Sequence, residues 1–261
     1  RRCGAPSRAR PAGDGGLLML SSLARRLCYL STMASLVSAY KPVVIFLHGS
    51  GDTGRGAEQW VRSLAAAKEL AEFEWHFPDA EVIPYTLAGG APTSVWYDRA
   101  GGFDPHFPEQ TASVEASCRK VLGLVESFVA RGVPPHKIAV GGFSMGGNMA
   151  YQTAARYHQR APHAPLGAVF GLSCYMADDS PAYGIAHQSG AAWPKTFVRH
   201  GSADDFIRPE WGRRTFDRLK AAGVDANFDL VAGARHEMVP REIGELLDFL
   251  GGNLVDGGNL L

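Results

Sequence analysis

The stretch Ile138 to Ala150, IAVGGFSMGGNMA, decides how the rest of the chain is read. Ile138, Ala139, Val140 and Gly141 suit a buried strand, they run directly into Gly142-Phe143-Ser144-Met145-Gly146, and helix-compatible residues follow at once. The pattern predicts strand, sharp turn, helix. A serine at such a turn is forced outward above the sheet, and the tight backbone leaves little room for side chains two positions away, which accounts for the flanking glycines. In a chain with 31 glycines the pentapeptide alone fits an ordinary Gly-rich turn better than a catalytic one. A serine hydroxyl is a poor nucleophile until a base takes its proton, and the base needs a third group to orient it. Those partners have to be found elsewhere.

Outward from this stretch, strands and helices alternate. Val43 to Leu47 reads as a buried strand and is followed by the Gly-rich turn His48 to Gly54, and Trp60, Val61, Leu64 and Leu70 recur at helical spacing. A short strand around Trp75 to Phe77 leads into a long loop, Asp79 to Phe107, anchored by Pro84, Pro92, Trp96 and Tyr97. Val114, Cys118, Val121, Leu122, Val125 and Val129 mark a helix over about Pro108 to Arg131. After the helix that follows Ser144, over Met145 to Tyr157, strands are expected at Ala168 to Leu172, Thr196 to Arg199 and Ala226 to Val231. Helices are expected at about Pro209 to Ala222 and at Pro240 to Leu250, with Ser173 to Pro194 irregular. The alternation implies one α/β domain over residues 40–250, with a mainly parallel central sheet flanked by helices. No insertion is long or mobile enough for a lid domain. Gly251 to Leu261 reads as a flexible tail.

Residue placement supplies candidate partners for the serine. Asp204 and Asp205 in His200-Gly201-Ser202-Ala203-Asp204-Asp205, and His236 in Gly233-Ala234-Arg235-His236-Glu237, each follow a predicted strand, where loops of a parallel sheet converge on a crevice. Ser, then Asp, then His at three successive carboxyl-end loops is the chain order of α/β-hydrolases, and the residues alone leave the choice between the two aspartates open. A tetrahedral intermediate also needs two donors aimed at its charge. The backbone N–H of Met145, at a helix start, and that of Ser50, in the loop after the first strand, are the candidates. Trp96, Leu172, Tyr175 and Met176 are expected to line a shallow apolar groove for the acyl chain. The remaining histidines, His48 and His200 among them, read as turn residues without ligand spacing, so neither metal nor cofactor is expected.

Composition sets limits. At 261 residues, 46% hydrophobic and 20% charged, the chain fits one globular domain with a sizeable core. Basic and acidic residues balance at 26 each, but residues 1–39 hold six arginines against Asp14 alone, leaving a mildly acidic body that is a poor nucleic-acid surface. No apolar run is long enough to span a membrane. Cys3, Cys28, Cys118 and Cys174 lack disulfide-like spacing, which favours a reducing, cytoplasmic setting. The Arg- and Ser-rich leader, residues 1–39, is expected to lack order. It has transit-peptide composition over residues 1–32, which would imply organelle targeting, whereas Met33 offers a start just ahead of the first strand.

Five ordered motifs carry a family resemblance: FLHGSGDTGRG (Phe46 to Gly56), VWYDR (Val95 to Arg99), GGFSMGG (Gly141 to Gly147), HGSADDFI (His200 to Ile207) and the pair His236-Glu237. Over Val43 to Leu250 the chain resembles the acyl-protein thioesterase and lysophospholipase family of compact α/β-hydrolases. The resemblance implies Ser144 as nucleophile, His236 as base, Asp204 and not Asp205 as the orienting acid, and Ser50 and Met145 as oxyanion donors. It implies a serine hydrolase of acyl thioesters or esters, in the manner of a palmitoyl-protein hydrolase, working on acylated proteins or small acyl esters with transient membrane contact. A carboxylesterase of short-chain esters is the enzymatic alternative, and an inactive hydrolase fold used for binding is the rival of another class. Met145 stands where thioesterases proper usually carry Gln, as in the lysophospholipase-like branch.

Overall fold

Five apolar residues in a row, Val43–Leu47, form β1, and all five are buried, as expected of a strand covered on both faces. The computed structural model describes residues 40–255, and residues 41–255 form one compact unit. β1 lies between β2 (Glu74–His76) and β5 (Ile138–Phe143), and β6 (Ala168–Leu172), β7 (Lys195–Gly201) and β8 (Ala226–Val231) follow. The order is β2-β1-β5-β6-β7-β8, every pairing is parallel, and the serine-bearing strand sits near the middle. Two further strands, β3 (Val82–Tyr85) and β4 (Ala91–Ser94), pair antiparallel as a separate hairpin.

Helices cover both faces. On one, α1 (Gly54–Leu64) and α7 (Pro240–Leu250) bury Ala57, Val61, Ile243, Leu246 and Leu250 against Val44, Phe46, Phe170 and Phe197. Thr53 caps α1 by accepting from the Gly56 N–H at 3.0 Å, and the short α2 (Ala67–Leu70) follows. Elsewhere α4 (Met145–Arg160) lies across β1, β5 and β6, flanked by α3 (Thr111–Ala130) and α5 (Pro181–Ser189), with α6 (Pro209–Ala221) beside α5. The apolar positions read from sequence face inward on α3, where Val114, Cys118, Val121, Leu122 and Val125 are buried. Every residue of α4 from Met145 to Tyr157 is buried, so the helix behind the serine is held on all sides.

Three expectations are corrected. Asp79 to Phe107 is not all loop, since the β3–β4 hairpin lies within it. Ser173 to Pro194 is not wholly irregular, because Ser180 caps α5 and Pro181 opens it. The tail does not fray from Gly251: Gly251–Val255 continues as a π-helical turn and buries Leu254. The expected leader, residues 1–39, lies outside the described residues, as do residues 256–261 of the tail.

Candidate active site

Ser144 stands between the end of β5 and the start of α4 with φ 54° and ψ −120°, a strained conformation for a residue with a Cβ. Its own N–H donates to Leu172 O at 2.8 Å, which ties the turn to β6. The flanking glycines are required by the neighbouring strand. A Cβ on Gly142 would lie 2.3 Å from Leu47 O, and one on Gly146 would lie 2.0 Å from the same oxygen. The end of β1 therefore presses against the turn and leaves no room for side chains there.

The loops after β7 and β8 bring the partners to this serine. The Ser144 hydroxyl faces His236 Nε2 at 3.0 Å, and His236 Nδ1–H donates to Asp204 Oδ2 at 2.8 Å. Asp204 is buried, and its other oxygen accepts from the Phe206 and Ile207 N–H groups at 3.1 and 2.8 Å. Burial pushes the Asp204 carboxyl up, but hydrogen bonds from His200, His236 and the Ile207 N–H outweigh it and hold the group well below the usual carboxylate range. A permanently ionised acid fixes the imidazole with Nε2 free to accept the serine proton. Asp205 is exposed and pairs with Arg235. The rings of Phe143 and Phe206 lie 4.7 and 5.1 Å from the His236 ring, shielding it from water.

The loop after β1 abuts the serine: a Cβ on Gly49 would sit 3.5 Å from Ser144 Cβ. The Ser50 hydroxyl donates to Met145 Sδ at 3.6 Å, so the two expected oxyanion donors are neighbours, and the Met145 N–H belongs to the first turn of α4, where no intrahelical acceptor is available. His48 keeps this loop in shape. Its Nδ1–H donates to Gly49 O at 2.7 Å, its Nε2 accepts from the Ala80 N–H at 3.0 Å, and burial pushes its imidazole below the ordinary value.

The expected groove residues are placed differently. Trp96, Leu172 and Met176 are each 1% exposed or less, so they are core and not an open wall. Trp96 braces the loop after β1, donating Nε1–H to His48 O at 2.9 Å and packing on the His48 ring at 5.1 Å. Tyr175 borders a small cleft together with Tyr97, Arg99, Phe107 and Asn148. Arg99 donates to the Tyr97 and Tyr175 hydroxyls at 2.7 and 3.0 Å, and Asn148, one turn after Ser144 on α4, donates to Tyr97 at 2.6 Å. This cluster pins the long loop to the helix behind the serine.

One residue read as a plain turn histidine belongs to the site. His200 is fully buried on β7, with Nε2 2.8 Å from Ile207 O and 3.3 Å from Asp204 Oδ2. Its spacing four residues ahead of Asp204 was the available signal. Among the described residues no group of three His, Cys, Asp or Glu side chains is placed to hold a metal ion, and no helix is long and apolar enough to cross a membrane.

Similarity to known proteins agrees with this geometry. Residues 32–254 match the phospholipase/carboxylesterase family. Lysophospholipase-like protein 1 of Mus musculus is 33% identical over 208 residues, covering 79% of this chain and 84% of its own. Acyl-protein thioesterase 1 of Emericella nidulans is 32% identical over 216 residues, covering 79% and 88%. Among solved structures, acyl-protein thioesterase 2 of Zea mays has a TM-score of 0.66 at 28% identity, covering 82% of this chain and 94% of its own. Arabidopsis thaliana SOBER1 shares the fold, with a TM-score of 0.71 at 24% identity over 82% of this chain and 100% of its own. A six-stranded parallel sheet, a serine on the sharp turn at its centre and a family match over most of its length together make this chain a hydrolase that belongs to the phospholipase/carboxylesterase family.

Proposed function

We propose that the enzyme cleaves acyl thioesters and oxyesters through an acyl-enzyme on Ser144, with acylated proteins as its substrate class. The observation that carries the reading is the unbroken chain from the Ser144 hydroxyl through His236 to the buried Asp204. In this mechanism His236 Nε2 takes the serine proton as Oγ attacks the acyl carbon, and Asp204 stabilises the imidazolium. The Met145 and Ser50 N–H groups receive the oxyanion. Collapse expels a thiolate or alkoxide, which takes the proton back from His236, and a water molecule repeats the sequence to release the acid and restore Ser144. Similarity to proteins named acyl-protein thioesterase supports the thioester assignment. Cys118 and Cys174 are no rival nucleophiles: both are buried, and burial pushes each thiol up to about 12. Their free state also supports the cytoplasm as the proposed location.

The decisive test is a hydrolysis panel of thioesters and oxyesters graded in acyl length, run beside fluorophosphonate labelling. Labelling at Ser144 and turnover of both ester types are expected. Each buried CH₂ is worth about 0.8 kcal/mol only while wall remains to cover it, and Leu172, Met176 and Trp96 are already packed in the core. Specificity is therefore expected to rise over short chains and level before palmitoyl. A steady rise through palmitoyl would refute the shallow groove, turnover of short oxyesters alone would make the enzyme a carboxylesterase, and absence of labelling would leave a binding protein.

A further inference from the structure

We infer that His200 is a positioning residue of the catalytic acid, sharing Asp204 Oδ2 with His236. The inference rests on the reading of Ser144, His236 and Asp204 as the catalytic relay. His200 Nε2 faces two acceptors, Ile207 O at 2.8 Å and Asp204 Oδ2 at 3.3 Å, so it carries the ring proton. The N–H points at the carbonyl, with the carboxylate oxygen as a second acceptor beside it. That same Oδ2 accepts the His236 Nδ1–H at 2.8 Å. One carboxylate oxygen thus lies between two imidazoles, the outer one in contact with Ser144 and the inner one fully buried. Since Ile207 N–H also donates to Asp204 Oδ1, His200 grips both ends of the turn that carries the acid.

The ring cannot retreat. Gly212 of α6 backs it so closely that a Cβ there would lie 2.4 Å from Nδ1. Nδ1 itself has no hydrogen-bond partner among the described residues, a cost that an apolar ring of similar shape would avoid. An imidazole kept at this position despite that cost points to its Nε2–H as the group required. A donor on Oδ2 draws charge from the oxygen that faces His236. Without it the carboxylate holds the imidazolium more firmly, and the base stays protonated to higher pH. The charged groups around the His236 turn, Asp205, Arg235 and Glu237 on its exposed side and Glu242 on the first turn of α7, are the same in every variant compared.

The test compares His200→Phe and His200→Gln in the full chain, with kcat and KM followed across pH on a small thioester. In His200→Phe, kcat at neutral pH is expected to fall about tenfold with KM unchanged. The acid limb of kcat/KM should move up by about one pH unit, so that activity recovers in alkali. His200→Gln, which keeps an N–H donor, should restore the wild-type limb. A loss in His200→Phe that is uniform across pH would overturn the role. Proton NMR of the wild-type protein tests the same point without a variant: a His200 Nε2–H resonance indifferent to the titration of His236 would overturn it equally. Ser144→Ala run alongside separates the two readings. If that variant loses nearly all turnover while the His200→Phe limb is unmoved, only the positioning role fails, and turnover by Ser144→Ala close to wild type would overturn the relay and this role together.

Discussion

Two adjacent aspartates show how much one residue of offset matters. Asp204 is buried and takes four hydrogen-bonding contacts on its carboxylate, from His236, His200 and the Phe206 and Ile207 N–H groups, whereas Asp205 points outward to Arg235. Asp204→Asn is expected to lower kcat by about 10⁴-fold, because the amide no longer fixes the working tautomer of His236. Asp205→Asn should remain near wild type, since an exposed ion pair contributes little. Steady-state kinetics with a melting curve for each variant checks both, and equal damage from the two would refute the assignment of the acid. Ser144 and His236 are legible in the sequence because each follows an apolar run that ends at a strand's carboxyl edge. The aspartate pair is not, since choosing between them requires knowing which way a turn faces. His200 was hidden for the same reason: its partners, Ile207 O and Asp204 Oδ2, are set by how the turn folds back. The groove was misread because Trp96, Leu172 and Met176 are apolar in a way that suits either a wall or a core, and only packing distinguishes them.

At the level of elements, the sheet strands and the longer helices follow from apolar runs and helical spacing, and the misses have particular causes. In the hairpin, Pro84 stands directly opposite Pro92. Prolines read as loop markers, yet a two-stranded ribbon has outward edges on which a missing N–H does no harm. Helix α5 was missed because Gly184 interrupts a short pattern, although Ser180-Pro181 is a regular helix start. The turn Gly251–Val255 was missed because its composition is that of a tail, while its one large apolar residue, Leu254, finds a slot beside Gly167. Leu254 belongs to the main core cluster at 1% exposure. Leu254→Ala is therefore expected to destabilise the fold by about 2–3 kcal/mol, read as a lower urea midpoint with unchanged slope. A midpoint within error of wild type would return this segment to the status of a loose end.

For the whole molecule, two buried carboxyls give opposite pH dependence. Burial pushes Glu242 up to about 8, against a small opposing pull from the Val239 N–H, and neither carboxyl oxygen has a partner at hydrogen-bonding geometry among the described residues. The folded chain holds this proton more tightly than the unfolded chain. Its contribution to stability is complete below the ordinary carboxylate value and is lost as pH rises through about 8. Asp204, held low, contributes stability above the ordinary carboxylate value and loses it as pH falls. Glu242→Gln should flatten the decline in Tm that runs from about pH 4.5 to about pH 8, while leaving the fall at lower pH unchanged, and melts across pH that show the same decline in both proteins would refute the assignment. A last consequence concerns the order in which the chain is made. Ser144 lies 92 positions ahead of His236, which contacts its hydroxyl, Asp204 lies between them in sequence, and Leu254, near the end of the described residues, belongs to the main core cluster. Under the proposed relay, a chain still being synthesised carries the nucleophile long before its base, so hydrolysis is expected to begin only after the turn that bears His236 has been made and folded.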